Sequence, residues 1–257
     1  MPNLGSRRGF VASVGFTLLF LPQAGCASAL SEVQTRGHWI IGVYLSGYPL
    51  AFRDPQGHLA GLEVALARRL AQDRFGSPEQ VEFVVLTARE RITALEAGTV
   101  DMVIGNLSVT PQRARVIDFS TDYYRPYQAL AVLQEDPARV LSDLSTARVA
   151  VLEGSSSRLG LERFLPQATI VLVPDYPTAY TQLKQGLVRA VSADNTALMG
   201  WRDATLRLLE APLSGYVLAV GFPRGLDSLD LRTWVNSRIA QWQKEGWLKT
   251  TVGWWGL

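Results

Sequence analysis

The residues best suited to chemistry are one arginine, one aspartate and two clusters of hydroxyls. Thr110-Pro111-Gln112-Arg113 reads as a helix start: Thr110 as the cap, Pro111 at the first helical position, Arg113 two residues on. The apolar run Val100–Ile104, bounded by Gly98 and Gly105, precedes it as a buried strand. Strand, polar turn and helix N-terminus together make an anion site, because free backbone N–H groups and the positive dipole end point at one spot. Ser108 and Thr110 add hydroxyls there, and Arg113 adds a planar fork of donors matched to a carboxylate. The competing reading for Arg113 is an ion pair with Asp118. Gly154-Ser155-Ser156-Ser157 repeats the pattern of strand, small polar loop and helix start, either as a second anion contact or as an ordinary helix cap. Asp194 follows the strand-like run Val188–Ser192, where its carboxylate can meet an ammonium group or cap the next helix.

These groups are carried by a regular alternation of elements. Trp39–Val43 is a buried strand, followed by a turn-rich loop over Leu45–Gly57 and a helix over Leu62–Phe75. Val81–Leu86 is a strand, and Ile92, Leu95 and Ala97 belong to a helix leading into Val100–Ile104. Alternating strands and helices predict βαβ units and a mostly parallel sheet, with ligands at the carboxyl ends of strands, where Gly105–Thr110 sits. Tyr127–Leu133 reads as an extended crossing into a second lobe. There the rhythm restarts with strands at Arg148–Leu152, Ile170–Val173 and Val188–Ser192, and helices at Leu159–Phe164 and Tyr176–Gly186. Asp194-Asn195 opens a further helix containing Leu198 and Trp201. Tyr216–Val220 returns the chain, and Leu229–Trp242 is a long amphipathic helix. Two crossings make the first lobe discontinuous, the topology of hinged receptors that bind in a cleft.

The N-terminus reads as a targeting segment, with Arg7-Arg8 ahead of an apolar run from Phe10 to Leu21. Ser6-Arg7-Arg8-Gly9-Phe10 resembles the twin-arginine export signal, and Ala24-Gly25-Cys26 resembles the end of a bacterial lipobox, in which the cysteine is lipidated. Gln23 departs from that motif, which usually carries Leu there, and a cut near Ala27-Ser28-Ala29 is the alternative. Cys26 is the only cysteine, so no internal disulfide is possible. Of 25 basic residues, Arg7 and Arg8 leave with the segment, and the remainder balances the 23 acidic ones. A neutral mature chain gives no argument for nucleic acid or a polybasic membrane patch. No later run is long enough to span a bilayer.

The stretch Ala97–Tyr124 resembles the solute-binding proteins of polar amino acid ABC transporters, a family related to the ligand cores of ionotropic glutamate receptors. The family pattern appears here as Leu95, Gly98 and Asp101, then Thr110 and Arg113, then Asp118, Phe119, Ser120, Tyr123 and Tyr124. The resemblance runs from about Trp39 to Trp255. It implies an α/β, two-lobed, periplasmic-binding-protein-like (type II) fold, each lobe a mostly parallel sheet flanked by helices, with ligand in the interlobe cleft. The implied organisation is a signal segment at 1–26, lobe 1 at 37–126 and 218–257, and lobe 2 at 127–217. By the same resemblance Arg113 takes the carboxylate of a free amino acid, Asp194 takes its α-amino group, and Ser155, Ser156 and Ser157 contact the ligand from the second lobe. Asn106, Leu107, Ser108 and Thr110 supply further hydrogen bonds.

The side-chain pocket departs from the family. The first loop usually offers an aromatic residue where this chain has Gly47, so that Tyr48 or Tyr44 takes over. Ala88 stands where a second apolar wall is often found, and Arg89 and Arg91 follow, either reading an acidic side chain or lying exposed around Glu90. A rival class is a cleft enzyme of the same fold, a dehydratase using Glu153 or Glu63 as general acid. Against it, there is no nucleophile motif and no metal-ligand spacing, and the two histidines, His38 and His58, have no partner in sequence. A third class is a receptor-docked sensor using the same lobes. The expectation is a non-enzymatic, cofactor-free and metal-free monomer. It is exported to the periplasm, tethered through Cys26 if lipidated, and delivers an amino acid to the membrane subunits of an ABC permease.

Overall fold

The computed structural model describes residues 28–201, 203–209 and 216–257. The signal-like segment and Cys26 lie outside them. The chain opens with helix α1 (Ala29–Arg36), strand β1 (Trp39–Val43), a small hairpin of β2 (Phe52–Arg53) and β3 (Leu59–Ala60), and helix α2 (Leu62–Phe75). Then come β4 (Val81–Val85), α3 (Glu90–Glu96), β5 (Met102–Val103), a single 3-10 turn at Arg113–Arg115, and β6 (Ile117–Tyr124). The next unit contains β7 (Gln128–Leu133), β8 (Arg148–Leu152), α4 (Ser157–Phe164), β9 (Thr169–Val173), α5 (Tyr176–Lys184), β10 (Ala190–Asp194), α6 (Asn195–Met199) and β11 (Leu206–Leu209). The chain finishes with β12 (Leu218–Pro223), α7 (Leu229–Lys244) and α8 (Trp247–Trp254).

Two five-stranded sheets organise these elements, with orders β4-β1-β5-β12-β6 and β11-β7-β10-β8-β9. Each carries helices on both faces, the three-layer solution for strands that are apolar on both sides. In the first lobe, Trp39, Ile41, Leu66, Leu70, Phe222 and Trp242 form one core with α2 and α7. Leu95, Val103, Leu107 and Ile117 form another beneath α3. Each sheet is parallel on one side and antiparallel on the other, rather than parallel throughout. The antiparallel halves arise from the crossings. β6 leaves the first sheet and β7 enters the second, and β12 returns beside β6 with its direction reversed.

Most expected elements form at or near their expected bounds, and the departures have local causes. β5 keeps only two residues of the expected Val100–Ile104 strand. Asp101 N still donates to Ile40 O at 2.8 Å, but the Ile40 N–H goes to the Asp101 carboxylate at 2.7 Å, which also pairs with Arg36. The helix expected at Thr110 is one 3-10 turn, since the chain must straighten into β6 after Val116. It therefore offers little helix dipole, and Arg113 acts through its own donors.

Candidate functional site

The two lobes face one another across a cleft whose walls are the carboxyl ends of β1, β5, β8 and β10. The first wall is built from the backbone outward. At Gly105 an added Cβ would lie 2.7 Å from Tyr44 N, so only glycine lets the β5 and β1 ends approach this closely. Asn106 follows in the left-handed region (φ 50°), which asparagine tolerates better than most residues. Its N–H donates to Glu63 Oε1 at 2.5 Å, and its carbonyl accepts from Arg91 Nη1. Glu63 also accepts from the Tyr123 hydroxyl at 2.6 Å. Burial pushes the Glu63 carboxyl up to about 7, against the pull of those two hydrogen bonds and of Arg91.

Arg113 half-emerges from this wall. Its Nη1 donates to Ser108 O at 2.8 Å, and its Nη2 crosses the cleft to Gly154 O at 2.9 Å. It does not pair with Asp118, which takes Arg232 Nη1 at 2.9 Å and Gly225 N instead. Burial, and then the neighbouring positive charge of Arg91, lower the Arg113 guanidinium to about 9, while Asp194 works in the opposite direction. Facing it from lobe 2, Asp194 ends β10 and makes no side-chain cap bond to α6, so the capping alternative is not realised. Burial raises its carboxyl to about 6, opposed by Arg113 and Arg91.

The expected ligand residues divide into four groups. Tyr44, Asn106, Ser108, Arg113, Ser155, Ser156 and Asp194 come together around one space of about 10 Å³, with Arg91, Leu152 and Tyr176. Ser156 Oγ donates to Ser108 Oγ at 2.9 Å across the cleft, and the Ser155 hydroxyl is buried without a partner. Leu107, Thr110 and Ser157 stand behind this lining. Leu107 packs into the core under α3, Thr110 accepts from Arg113 N at 3.3 Å, and Ser157 O accepts from Gln128 Nε2. Tyr48 lines a neighbouring cavity, with its hydroxyl on Trp255 O at 3.0 Å. Arg89 stands apart, its side chain 68% exposed and paired with Glu153 at 3.0 Å on the rim.

Arg91, two residues further along, is 2% exposed. It donates to the carbonyls of Ala88, Gly105, Asn106 and Gly154, and its guanidinium lies 5.2 Å from the Tyr44 ring centroid. With four carbonyls already bonded, it is a brace for the cleft backbone. Tyr176 was hidden in sequence because it reads only as the first residue of α5.

The family model for bacterial extracellular solute-binding proteins, family 3, matches residues 39–257. The chain belongs to that family. Among relatives, the glutamine-binding protein of Geobacillus stearothermophilus is 27% identical over 198 residues, covering 76% of each chain. A solved solute receptor for L-cysteine from Neisseria gonorrhoeae is 27% identical, with a TM-score of 0.80 over 88% of this chain and 92% of that one. An ancestral amino acid-binding protein, AncCDT-1, a precursor of cyclohexadienyl dehydratase, is 27% identical with a TM-score of 0.81, covering 89% and 99%. In this family 3 member the shared pattern residues outside the cleft turn out to be scaffolding. Asp101 ties β5 to β1, Ser120 Oγ accepts from Val220 N, and Tyr123 holds Glu63.

Proposed function

We propose that this protein captures a free α-amino acid between its lobes and hands it to the membrane subunits of an ABC permease. One observation carries the reading: Arg113 and Asp194, on opposite lobes, face one enclosed space, each electrostatically coupled to the other. A guanidinium fork suits a carboxylate and a bare carboxylate suits an ammonium, so a zwitterion satisfies both and leaves neither charge buried alone. The cleft arginines outnumber Asp194, and this favours a ligand whose carboxylate enters deepest. Asn106, Ser108, Ser155 and Ser156 are the polar groups available to orient it. Lobe 1 comprises 37–126 and 218–257 and lobe 2 comprises 127–217, with closure about the two crossings. The protein is a non-enzymatic, exported monomer: its clamp grips a ground state, and the buried Glu63 is occupied by Asn106 and Tyr123 rather than aimed at the space. Cys26, outside the described residues, is its candidate lipid anchor.

The test is a thermal-shift screen of the purified protein against the twenty amino acids, followed by calorimetry on Arg113→Ala and Asp194→Asn. A ligand that raises the melting temperature by mass action, and whose effect both substitutions abolish, carries the proposal. A panel without any shift, or a hit that ignores both substitutions, defeats it.

A further inference from the structure

Gln128 opens β7 directly after the crossing from the first lobe, and it is fully buried. Its Nε2 spends both hydrogens inside lobe 2, one on Ser157 O and one on Ser192 Oγ, each at 2.7 Å. Ser157 is the first residue of α4 and its carbonyl oxygen can only accept, so the amide has one orientation. That leaves Oε1 buried without an N–H or O–H partner, facing Gly160 about one turn along the same helix. A Cβ added at Gly160 would lie 2.1 Å from Oε1. A hydrogen stands there instead, a weak C–H donor, and α4 settles onto the amide with no side chain to hold it off.

The two partners of this amide belong to the two parts of lobe 2 that face Arg113. Through Ser157 it holds the start of α4, directly after Ser155 and Ser156. Through Ser192 it holds β10 two residues before Asp194, and Asp194 is also the register partner of Gln128 in the antiparallel ladder. Tyr127 adds a second tie: its N–H donates to Asn195 Oδ1 at 3.0 Å, and its carbonyl accepts from Asn195 N at 2.8 Å. Gln128 itself does not line the space between Arg113 and Asp194. Resting on the amino-acid reading above, we propose that Gln128 is a positioning residue for the ligand: its amide, seated on Gly160, sets the distance between the Ser155–Ser156 loop and Asp194. The groups around an α-carbon have a fixed spacing. A lobe whose polar contacts already match that spacing loses less freedom on binding than one that must be ordered by its ligand.

Calorimetry on the full chain, with the twenty amino acids as probes and well below the melting temperature, tests this. Gln128→Met keeps the volume and loses both donors, and should weaken every amino acid that binds the unsubstituted protein about tenfold or more. Leu144→Ala opens a cavity in the same lobe's core, and should lower the melting temperature while leaving affinity unchanged. Gly160→Ala should also cost about tenfold in affinity, although alanine is the better helix former, because its methyl meets the Gln128 amide. In a Gln128→Ala background that methyl fills vacated space, so adding Gly160→Ala should cost no further affinity. The Gly160 variants decide the matter alone if Gln128→Met does not fold. Substitutions that lower the melting temperature and spare affinity, or a Gly160→Ala cost that persists without the amide, overturn the proposal and leave the amino-acid reading standing. If no amino acid binds the unsubstituted protein, that reading fails and the positioning role fails with it.

Discussion

Arg91 and Arg113 donate to the same oxygen, the carbonyl of Gly154, at 3.2 and 2.9 Å, and both reach it from the opposite lobe. Two like charges converge on one neutral acceptor, and Asp194 is a counter-charge that acts on both. The Gly154 carbonyl thus occupies donors on Arg113 that a ligand carboxylate would take. Together with Ser156–Ser108 and Arg89–Glu153, this contact holds the cleft shut at its narrow end.

Gly154 has φ 78°, and an added Cβ would sit 3.2 Å from the Ala88 carbonyl across the cleft. Gly154→Ala therefore opposes closure through both backbone strain and the interlobe contact. The expected result is a larger radius of gyration by small-angle scattering and about tenfold weaker ligand binding, equivalent to about 1.4 kcal/mol. Unchanged scattering and affinity would remove Gly154 from the closure contact.

Arg113→Ala deletes the carboxylate fork from a half-buried position outside the cores. Binding should fall by about 2–5 kcal/mol, since Asp194 is left facing an incompletely paired zwitterion, while folding stability changes by about 1 kcal/mol or less. Calorimetry and urea denaturation of the same preparation separate the two effects. Unfolding on this substitution would mark Arg113 as structural instead.

Arg91→Met makes the opposite split. It strands the buried carbonyls of Ala88, Gly105 and Asn106, while Gly154 O keeps Arg113, and the expected loss of stability is at least about 3 kcal/mol, far above the loss for Arg89→Ala, an exposed pair worth about 1 kcal/mol or less. Paired urea melts of the two variants decide it. Equal midpoints would contradict the bracing role.

Glu63 sets a pH dependence. Its carboxyl is raised from 4.5 to about 7 in the fold, so the folded protein keeps a proton that the unfolded chain releases. Its contribution to stability is fully present below about 4.5 and is lost as the pH rises through about 7. Asp194, raised to about 6, adds in the same direction. Relative to Glu63→Gln, which never ionises, the unsubstituted protein should lose on the order of 3 kcal/mol between about pH 4.5 and pH 8. Parallel stability curves for the two proteins would show that Glu63 does not titrate across this range.

Much of the scaffold was legible because it is written in local periodicity. The β1, α2, β8 and α7 segments carry apolar runs or helical faces strong enough to declare themselves. β6 was harder: IDFSTDYY is polar for a strand, because Asp118, Ser120 and Tyr123 are spent on tertiary bonds that no local pattern reveals. Arg113 and Asp194 were singled out from the sequence, and both line one space between the lobes. Arg89 and Arg91 show the limit. Residues two apart in a helix point to different sides, so one lies on the rim and the other in the brace, and choosing between them requires knowing where the second lobe sits. Of the cavity that Tyr44 and Tyr48 line, the opposite wall of Tyr176, Tyr180 and Trp201 was hidden for the same reason, since it lies more than a hundred residues further along the chain.

The position of β12 between β5 and β6 imposes an order on biosynthesis. All five strands of the second sheet are translated between residues 128 and 209, so that lobe can complete itself while the first still lacks an inner strand. A nascent chain stopped short of Leu218 would carry one finished lobe and one split sheet, with the facing edges of β5 and β6 open to any strand that finds them.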